Sequence, residues 1–279
     1  MAVPASNPAC QVSGSIGGEM KKHKRVVVVS DFHSGHIVGL TPPGWDAETE
    51  HAQLQKAYSM RRHIFDFYAK TLKELQPIDI VIADGDLIEG KNEKQGGTEL
   101  IEADRLQQAD MAAECILLAK AKTVLIAYGT GYHTGRDEDV EVAVAKATNA
   151  LKIGSRDDID VSGTIINYRH FISGSQVPHG RYTALAREQL WNTLWGERGE
   201  YPKADIILRA HVHYHGYIGA PGWLAMTLPA LQGYGSKYGA RIMSGIVDIG
   251  LVHFDIYGRN EYDWMPHLCR LPKTEAMQL

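Results

Sequence analysis

Four short runs rich in β-branched and aliphatic residues constrain the fold of this chain most. Residues 25–30 (RVVVVS), 78–83 (IDIVIA), 123–128 (TVLIAY) and 205–209 (DIILR) are largely continuous in apolar character rather than alternating. A strand reads this way when both of its faces are covered, as in a parallel sheet flanked by helices. The segments between the first three runs carry a helical period instead. Between Asp46 and Gln76, residues Leu54, Tyr58, Ile64, Phe65, Tyr68, Leu72 and Leu75 follow helical spacing and stop at Pro77. Within residues 98–120, Leu100, Ile101 and Leu106 lead to Met111, Ala112, Cys115 and Leu118, the last four at three- and four-residue intervals, which predicts a second helix. Strand, helix, strand, helix, strand over the first 128 residues predicts parallel βαβ units. Ligands bind such sheets at the loops following the strands.

The second half changes character. The pattern predicts a short helix over 138–151, a strand over 160–173, a helix over 181–195 and the buried strand 205–209. Residues 223–228 and 246–257 read as strands with no helix between them, which predicts a second sheet with antiparallel pairing. Residues 1–24, rich in Ala, Ser, Pro and Gly before a basic run, read as a flexible tail, and 25–279 as one domain. The basic run follows the small-residue stretch, so this is not the order of a secretory signal. No apolar run approaches the ~20 residues that span a bilayer. A soluble, cytoplasmic protein without a membrane partner is expected. The formal net charge of −4 supplies no global basic field, so nucleic acid is not indicated as a partner, although a local patch would suffice.

Each buried run leads into residues able to bind metal or move protons. Asp31-Phe32-His33 follows the first, Asp86 the second, Gly129-Thr130-Gly131-Tyr132-His133 the third, and His211-Val212-His213 the fourth, with His170 in the segment expected as a strand. In an extended segment, positions i and i+2 point to one side, so the Asp-x-His and His-x-His pairs could each reach one cation. Taken singly, a strand histidine is usually structural and a Gly-Asp at a strand end is usually a turn. Their co-location in one chain is what points to a site. The chain has 13 histidines and only three widely spaced cysteines, with no CxxC pair. Imidazole and carboxylate without thiolate suit Mn²⁺, Fe, Zn²⁺, Co or Ni²⁺ better than Ca²⁺ or a cysteine-rich zinc site. A carboxylate shared by two such ions, roughly 3.5–4 Å apart, suits hydrolysis of a phosphate ester.

The order Asp-x-His, Gly-Asp, glycine turn with His, His, and His-x-His resembles the calcineurin-like metallophosphoesterases, including uncharacterised members encoded by phage and bacteria. The match runs from Asp31 to His213 and is best at Ser30–His36 and Asp84-Gly85-Asp86. The resemblance implies a two-sheet α/β sandwich flanked by helices, holding two divalent ions, with Mn²⁺ expected first and Zn²⁺, Fe or Ni²⁺ as alternatives. It implies that Asp31, His33 and His213 hold one ion, that Asp86 bridges, and that His170 and His211 hold the other. His133 would protonate the leaving oxygen after attack by a bridging hydroxide.

One motif departs from the family. Where the family has an asparagine ligand, this chain has Thr130, three residues before His133. The preferred expectation is that Thr130 or its backbone completes the site with water; the alternatives are that His133 becomes a ligand, or that the second ion binds weakly. His170 is preferred to His179 as ligand because a strand positions a side chain more rigidly than a Pro/Gly loop. His179, His215 and Arg136 then become candidate substrate contacts. Arg209 is a further candidate phosphate clamp with salt bridging as its alternative, and Trp191 and Trp195 read as core. The expected activity is hydrolysis of a phosphate monoester or diester on a small phosphorylated molecule. A nuclease of the same fold and a scaffold that lost catalysis are the alternatives.

Overall fold

A computed structural model describes residues 22–46, 52–135, 139–175, 177–234 and 246–271. It contains two mixed sheets stacked face to face with helices outside them. The first sheet has the order β11-β10-β1-β2-β3-β4. Its strands are β1 (Lys24–Val29), β2 (Ile80–Asp84), β3 (Thr123–Ala127), β4 (Lys152–Gly154), β10 (Ile249–Gly258) and β11 (Glu261–Cys269). Strands β1 to β4 run parallel, whereas β10 is antiparallel to β1 and β11 to β10. The second sheet has the order β5-β6-β7-β9-β8. It comprises β5 (Asp157–Val161), β6 (Thr164–Arg169), β7 (Ile206–Arg209), β8 (Gly216–Ala220) and β9 (Trp223–Thr227), with β6, β7 and β9 parallel.

The run of four valines is explained by what lies on either side of it. Val26 and Val28 join Ile82, Leu125 and Phe254 against Ile166, Tyr168, Ile206 and Leu208 of the second sheet. Val27 and Val29 face the other way, into a core with α1 (Ala52–Glu74) and α2 (Arg105–Leu117). Both faces of β1 are therefore dry, and a polar residue at any of the four positions would lose its hydration without gaining a partner. Helix α1 presents Ile64, Phe65, Tyr68 and Leu72, and the Tyr68 hydroxyl donates to the Cys115 carbonyl at 3.0 Å, fastening α1 to α2. On the outer face of the second sheet, α5 (Arg181–Glu197) packs Ala184 and Leu185 against Ile207 and Ala225.

Several expectations need correction. The strand expected over 160–173 is the hairpin β5/β6, folded at Ser162 and Gly163, both with positive φ. His170 therefore follows a strand rather than lying in one. The segment 98–120 becomes helical only at Arg105, where the Asp104 carboxylate caps α2 by accepting from the backbone N–H groups of Leu106 and Gln107. The helix expected over 138–151 shortens to α4, Glu141–Ala147. Residues 223–228 and 246–257 do not share a sheet: β9 lies parallel beside β7, while β10 crosses to pair with β1. Strand β11 contains Pro266, which a sheet tolerates only at an edge, and β11 is an edge. Lys24, placed in the tail from the sequence, already begins β1, and residues 1–21 lie outside the described residues.

Candidate metal centre

The parallel strands of both sheets deliver their following loops to one end of the sandwich. The loops after β1 and β2 run side by side, tied by Asp31 N–H to Gly85 O, His33 N–H to Asp86 O and Ser34 N–H to Leu87 O at 3.0–3.1 Å. The loops after β6 and β7 are joined by Ala210 N–H to His170 O at 2.8 Å. Convergence does not come from extended i, i+2 alternation, as the sequence suggested. Asp31, His33, Asp86, His211 and His213 all have φ between 47° and 71°, the left-handed region. Non-glycine residues there are uncommon, and clusters of them are typical of sites where the surrounding structure holds strain in place. Phe32, wholly buried edge-to-face against Tyr68, anchors the turn that presents Asp31 and His33.

These turns assemble three overlapping donor sets: Asp31, His33 and His213; Asp86, His170 and His211; and His33, Asp86 and His133. His213 Nε2 lies 3.1 Å from Asp31 Oδ1 and 3.3 Å from His33 Nε2. His170 Nε2 lies 2.9 Å from Asp86 Oδ2, with His211 Nδ1 at 3.8 Å and His133 Nε2 at 4.0 Å from the same oxygen. Asp31 Oδ1 is wholly buried and has imidazole nitrogens of His213, His170 and His33 within 3.9 Å, yet it accepts no aligned hydrogen bond, and His170 Nε2 makes none either. Buried polar atoms are rarely left so. Donor atoms that converge without bonding one another fit a cation between them, and the oxygen-and-imidazole set suits Mn²⁺, Zn²⁺ or Fe.

The histidine rings are oriented from behind. His33 Nδ1 meets Glu89 Oε2 at 2.9 Å, His133 Nδ1 meets the Glu89 carbonyl at 2.8 Å, and His170 Nδ1 meets the Asp84 carbonyl at 2.6 Å. Each contact turns Nε2 inward, the arrangement that fixes tautomer and aim in metal sites. Glu89 is itself held by the Asn92 amide, which donates to its Oε1 at 2.6 Å. Glu89 was not singled out from the sequence; its position three residues after Asp86, in a loop already known to carry a ligand candidate, was the available signal. Glu141 was also missed. Its two oxygens accept Leu87 N–H and Gly129 N–H, bracing the loops after β2 and β3.

The electrostatics match a site short of positive charge. Burial opposes ionisation of Asp31 and Asp86, but His213 and His170 in the first case, and His170 and His211 in the second, hold both carboxyls well below the usual range. Burial would lower His33, yet Asp31 and Glu89 bring it up to about 10. His170 is likewise raised against its burial, by Asp86 and Asp31. The raised His33 and His170 show the demand of these carboxylates for positive charge, which a cation would meet. His133 behaves differently: burial, then the neighbouring His33, lowers it. Burial also raises Glu141 to about 8 and Asp84 to about 7, the latter opposed by His170 and Arg209.

Thr130 sits against Asp86: its backbone N–H donates to Oδ1 at 2.6 Å and its hydroxyl approaches Oδ1 and Oδ2 at 3.1 and 3.3 Å. It also precedes the single turn of α3 (Gly131–Thr134), which carries His133. Two glycines make this closeness sterically feasible. A Cβ on Gly85 would lie 2.6 Å from His170 Cγ, and one on Gly129 would collide with Asp86 Oδ1.

The remaining candidates lie elsewhere. His179 is exposed on the turn before α5 and joins no donor set among the described residues. His215 does not share a face with His211 and His213, because the left-handed turns break the alternation; its Nδ1 meets the Thr227 carbonyl at 2.9 Å and its ring lies against Tyr217 and Trp264. Arg209 points away from the donors and pairs with Glu188 at 2.7 Å. Arg136 lies outside the described residues.

No family model and no curated protein matches the chain. Solved structures similar to it include an archaeal phosphodiesterase at 10% identity, covering 87% of this chain and 99% of that one with a TM-score of 0.45. Vps29 from Entamoeba histolytica complexed with Zn²⁺ is 15% identical, covering 88% and 99%, with a TM-score of 0.39. A predicted phosphoesterase from Streptococcus pneumoniae is 11% identical, covering 88% and 99%, with a TM-score of 0.37. In its motif order, its paired sheets and the strand ends that supply its donors, the chain resembles the calcineurin-like metallophosphoesterases.

Proposed function

We propose that the chain is a metal-dependent phosphoesterase that hydrolyses a phosphate monoester or diester. The observation that carries this reading is the pair of donor sets, Asp31/His33/His213 and Asp86/His170/His211, meeting at buried carboxylates with His133 alongside. Divalent cations held there would neutralise the phosphoryl oxygens and acidify water. The protein's own part is positional. His33 and His170, at most 3% exposed, form the closed side, while the side chains of His133, His213 and His211 are 15%, 18% and 35% exposed and open the site to a substrate.

Hydrolysis adds water across the P–O bond: hydroxyl goes to phosphorus and a proton goes to the leaving oxygen. We assign that proton to His133 Nε2; the Glu89 carbonyl accepting from Nδ1–H, which turns Nε2 inward, supports the reading. Burial, then the neighbouring His33, lowers the pKa of this ring, so once protonated on both nitrogens it gives the Nε2 proton up more readily. A second reading, His133 as a ligand, is favoured by its membership in the His33/Asp86/His133 set.

Turnover of p-nitrophenyl phosphate and bis-p-nitrophenyl phosphate with Mn²⁺, Zn²⁺ or Ni²⁺ tests the proposal. Activity lost on chelation and restored by metal is expected, and the preferred ester reports the substrate class. No turnover of either compound with any of the metals would support a binding scaffold instead. His133→Ala should slow turnover by about 10²–10⁴-fold with metal content unchanged; a lost metal ion would make it a ligand.

A further inference from the structure

Helix α5 crosses the outer face of the second sheet and leaves a cavity of about 330 Å³ beneath it. This lies at the lower end of the range for small-ligand sites, roughly 300–1,000 Å³. Its helical wall is one face of α5, since Glu188, Trp191, Asn192 and Trp195 follow i, i+3, i+4, i+7 spacing. Its floor is the outward-facing set of β6 and β7: Asn167 and Arg169 alternate with core-facing Ile166 and Tyr168, and Arg209 is the register partner of Arg169. Arg156 enters from the β4–β5 connection.

Three guanidinium groups face one carboxylate. Glu188 is fully engaged, contacting Arg169 Nη2 through both oxygens at 2.9 Å and Arg209 Nε and Nη2 through Oε2 at 2.9 and 2.7 Å. Arg156 pairs with no carboxylate among the described residues and lies 4.7 Å over the Tyr201 ring. The Nε atoms of Arg156 and Arg169 are buried without hydrogen-bond partners. Asn167, 1% exposed, likewise leaves its Oδ1 unpartnered on the cavity floor. Unpartnered guanidinium donors and an unpartnered acceptor in one cavity are groups that a polar ligand can satisfy. Trp191, expected as core, is 51% exposed at the rim, and Trp195 stands one helical turn further along the same wall. Bases stack on indole rings, and guanidiniums bind phosphate bidentately.

We propose that this cavity is a second ligand site, separate from the metal centre, for a planar aromatic ring bearing a phosphate and a hydrogen-bond donor, of the nucleoside monophosphate class. Arg156 and the remaining donors of Arg169 take the phosphate, Trp191 of α5 takes the ring, and Asn167 Oδ1 accepts from the donor.

Calorimetric titration of the full-length protein with AMP, adenosine and inorganic phosphate tests the assignment. AMP should bind more tightly than either of its parts. Arg156→Ala should weaken AMP by roughly 10–100-fold, and Trp191→Ala by roughly 5–100-fold, while Trp191→Phe retains binding. Both positions are partly exposed, so the variants are expected to fold, which circular dichroism checks. The titrations are run in EDTA, so that no metal ion at the Asp86 site can hold the phosphate. The proposal is overturned if AMP does not bind at millimolar concentration, if phosphate alone binds as tightly, or if binding survives both Arg156→Ala and Trp191→Ala.

Discussion

The two halves of the candidate metal centre are built to different standards of rigidity. The loops after β1 and β2 are tied to each other by three backbone hydrogen bonds, anchored by Phe32, and backed by Glu89 and Glu141. Their donors Asp31, His33 and Asp86 are no more than 3% exposed. The loop after β7 is held more lightly. A tight turn from Val212 N–H to the Ala210 carbonyl shapes it, His211 N–H reaches Asp31 Oδ2 at 3.3 Å, and Asp248 N–H caps His213 O. Its imidazoles face solvent in part. One half is a buried, closely braced set of donors; the other is more exposed. Under the proposed function, the buried half would aim its ligands and the exposed half would leave room for a phosphoester.

The largest expected effect breaks the rigid half at the shared carboxylate. Asp86→Asn should lose at least about 10³-fold in metal-dependent turnover, and mass spectrometry should find the metal content reduced. Stability should separate the two loops next. Phe32→Ala removes a wholly buried ring and should cost about 3–5 kcal/mol in urea unfolding, whereas Val212→Ala, at a half-buried position, should cost about 1 kcal/mol or less. Equal costs would contradict the division.

Glu89→Gln keeps the shape but weakens the bond that aims His33. Metal affinity should fall about 10–100-fold by competition with a chelating dye, with the melting temperature little changed. The smallest effect lies away from both loops and gives the background against which they are read. His253 Nδ1 and His267 Nε2 are 2.8 Å apart across β10 and β11, and burial, then His267, brings His253 down to about 4. The folded state therefore binds fewer protons than the unfolded chain between about pH 4 and the ordinary histidine value near 6.5, so this pair adds stability as pH rises through that window. The melting temperature of His253→Asn should fall less than that of the unsubstituted protein on going from pH 7 to pH 5. The difference should be a few degrees, since about 1 kcal/mol moves a domain of this size by about 2–4 °C.

What the sequence revealed follows from which forces are local. β1, β2, β3 and β7 were readable because a strand buried on both faces must be apolar along its length, and residues after such strands stand out as polar. The three donor sets contain six of the seven expected metal ligands, all but Thr130, together with His133, expected as the acid. The hairpin β5/β6 was missed although Ser162-Gly163 is a turn dipeptide, because β-branched residues continue on both sides of it. β11 was hidden because half its residues face solvent and Pro266 argues against a strand anywhere but at an edge. The left-handed backbone at five donor positions was invisible, because Asp and His are not residues that announce positive φ as glycine does. Glu89, Asn167 and Glu188 owe their roles to neighbours far away in the chain, and Trp191 reads as core until the width of α5's buried face is known.

The central claim is that two cations sit between these loops, sharing Asp86. An anomalous difference map from crystals of the protein grown with Mn²⁺ tests it most directly. Two peaks roughly 3.5–4 Å apart are expected, one beside Asp31, His33 and His213, the other beside His170 and His211, with Asp86 touching both. A single peak, or metal bound at other residues with these left empty, would contradict the account.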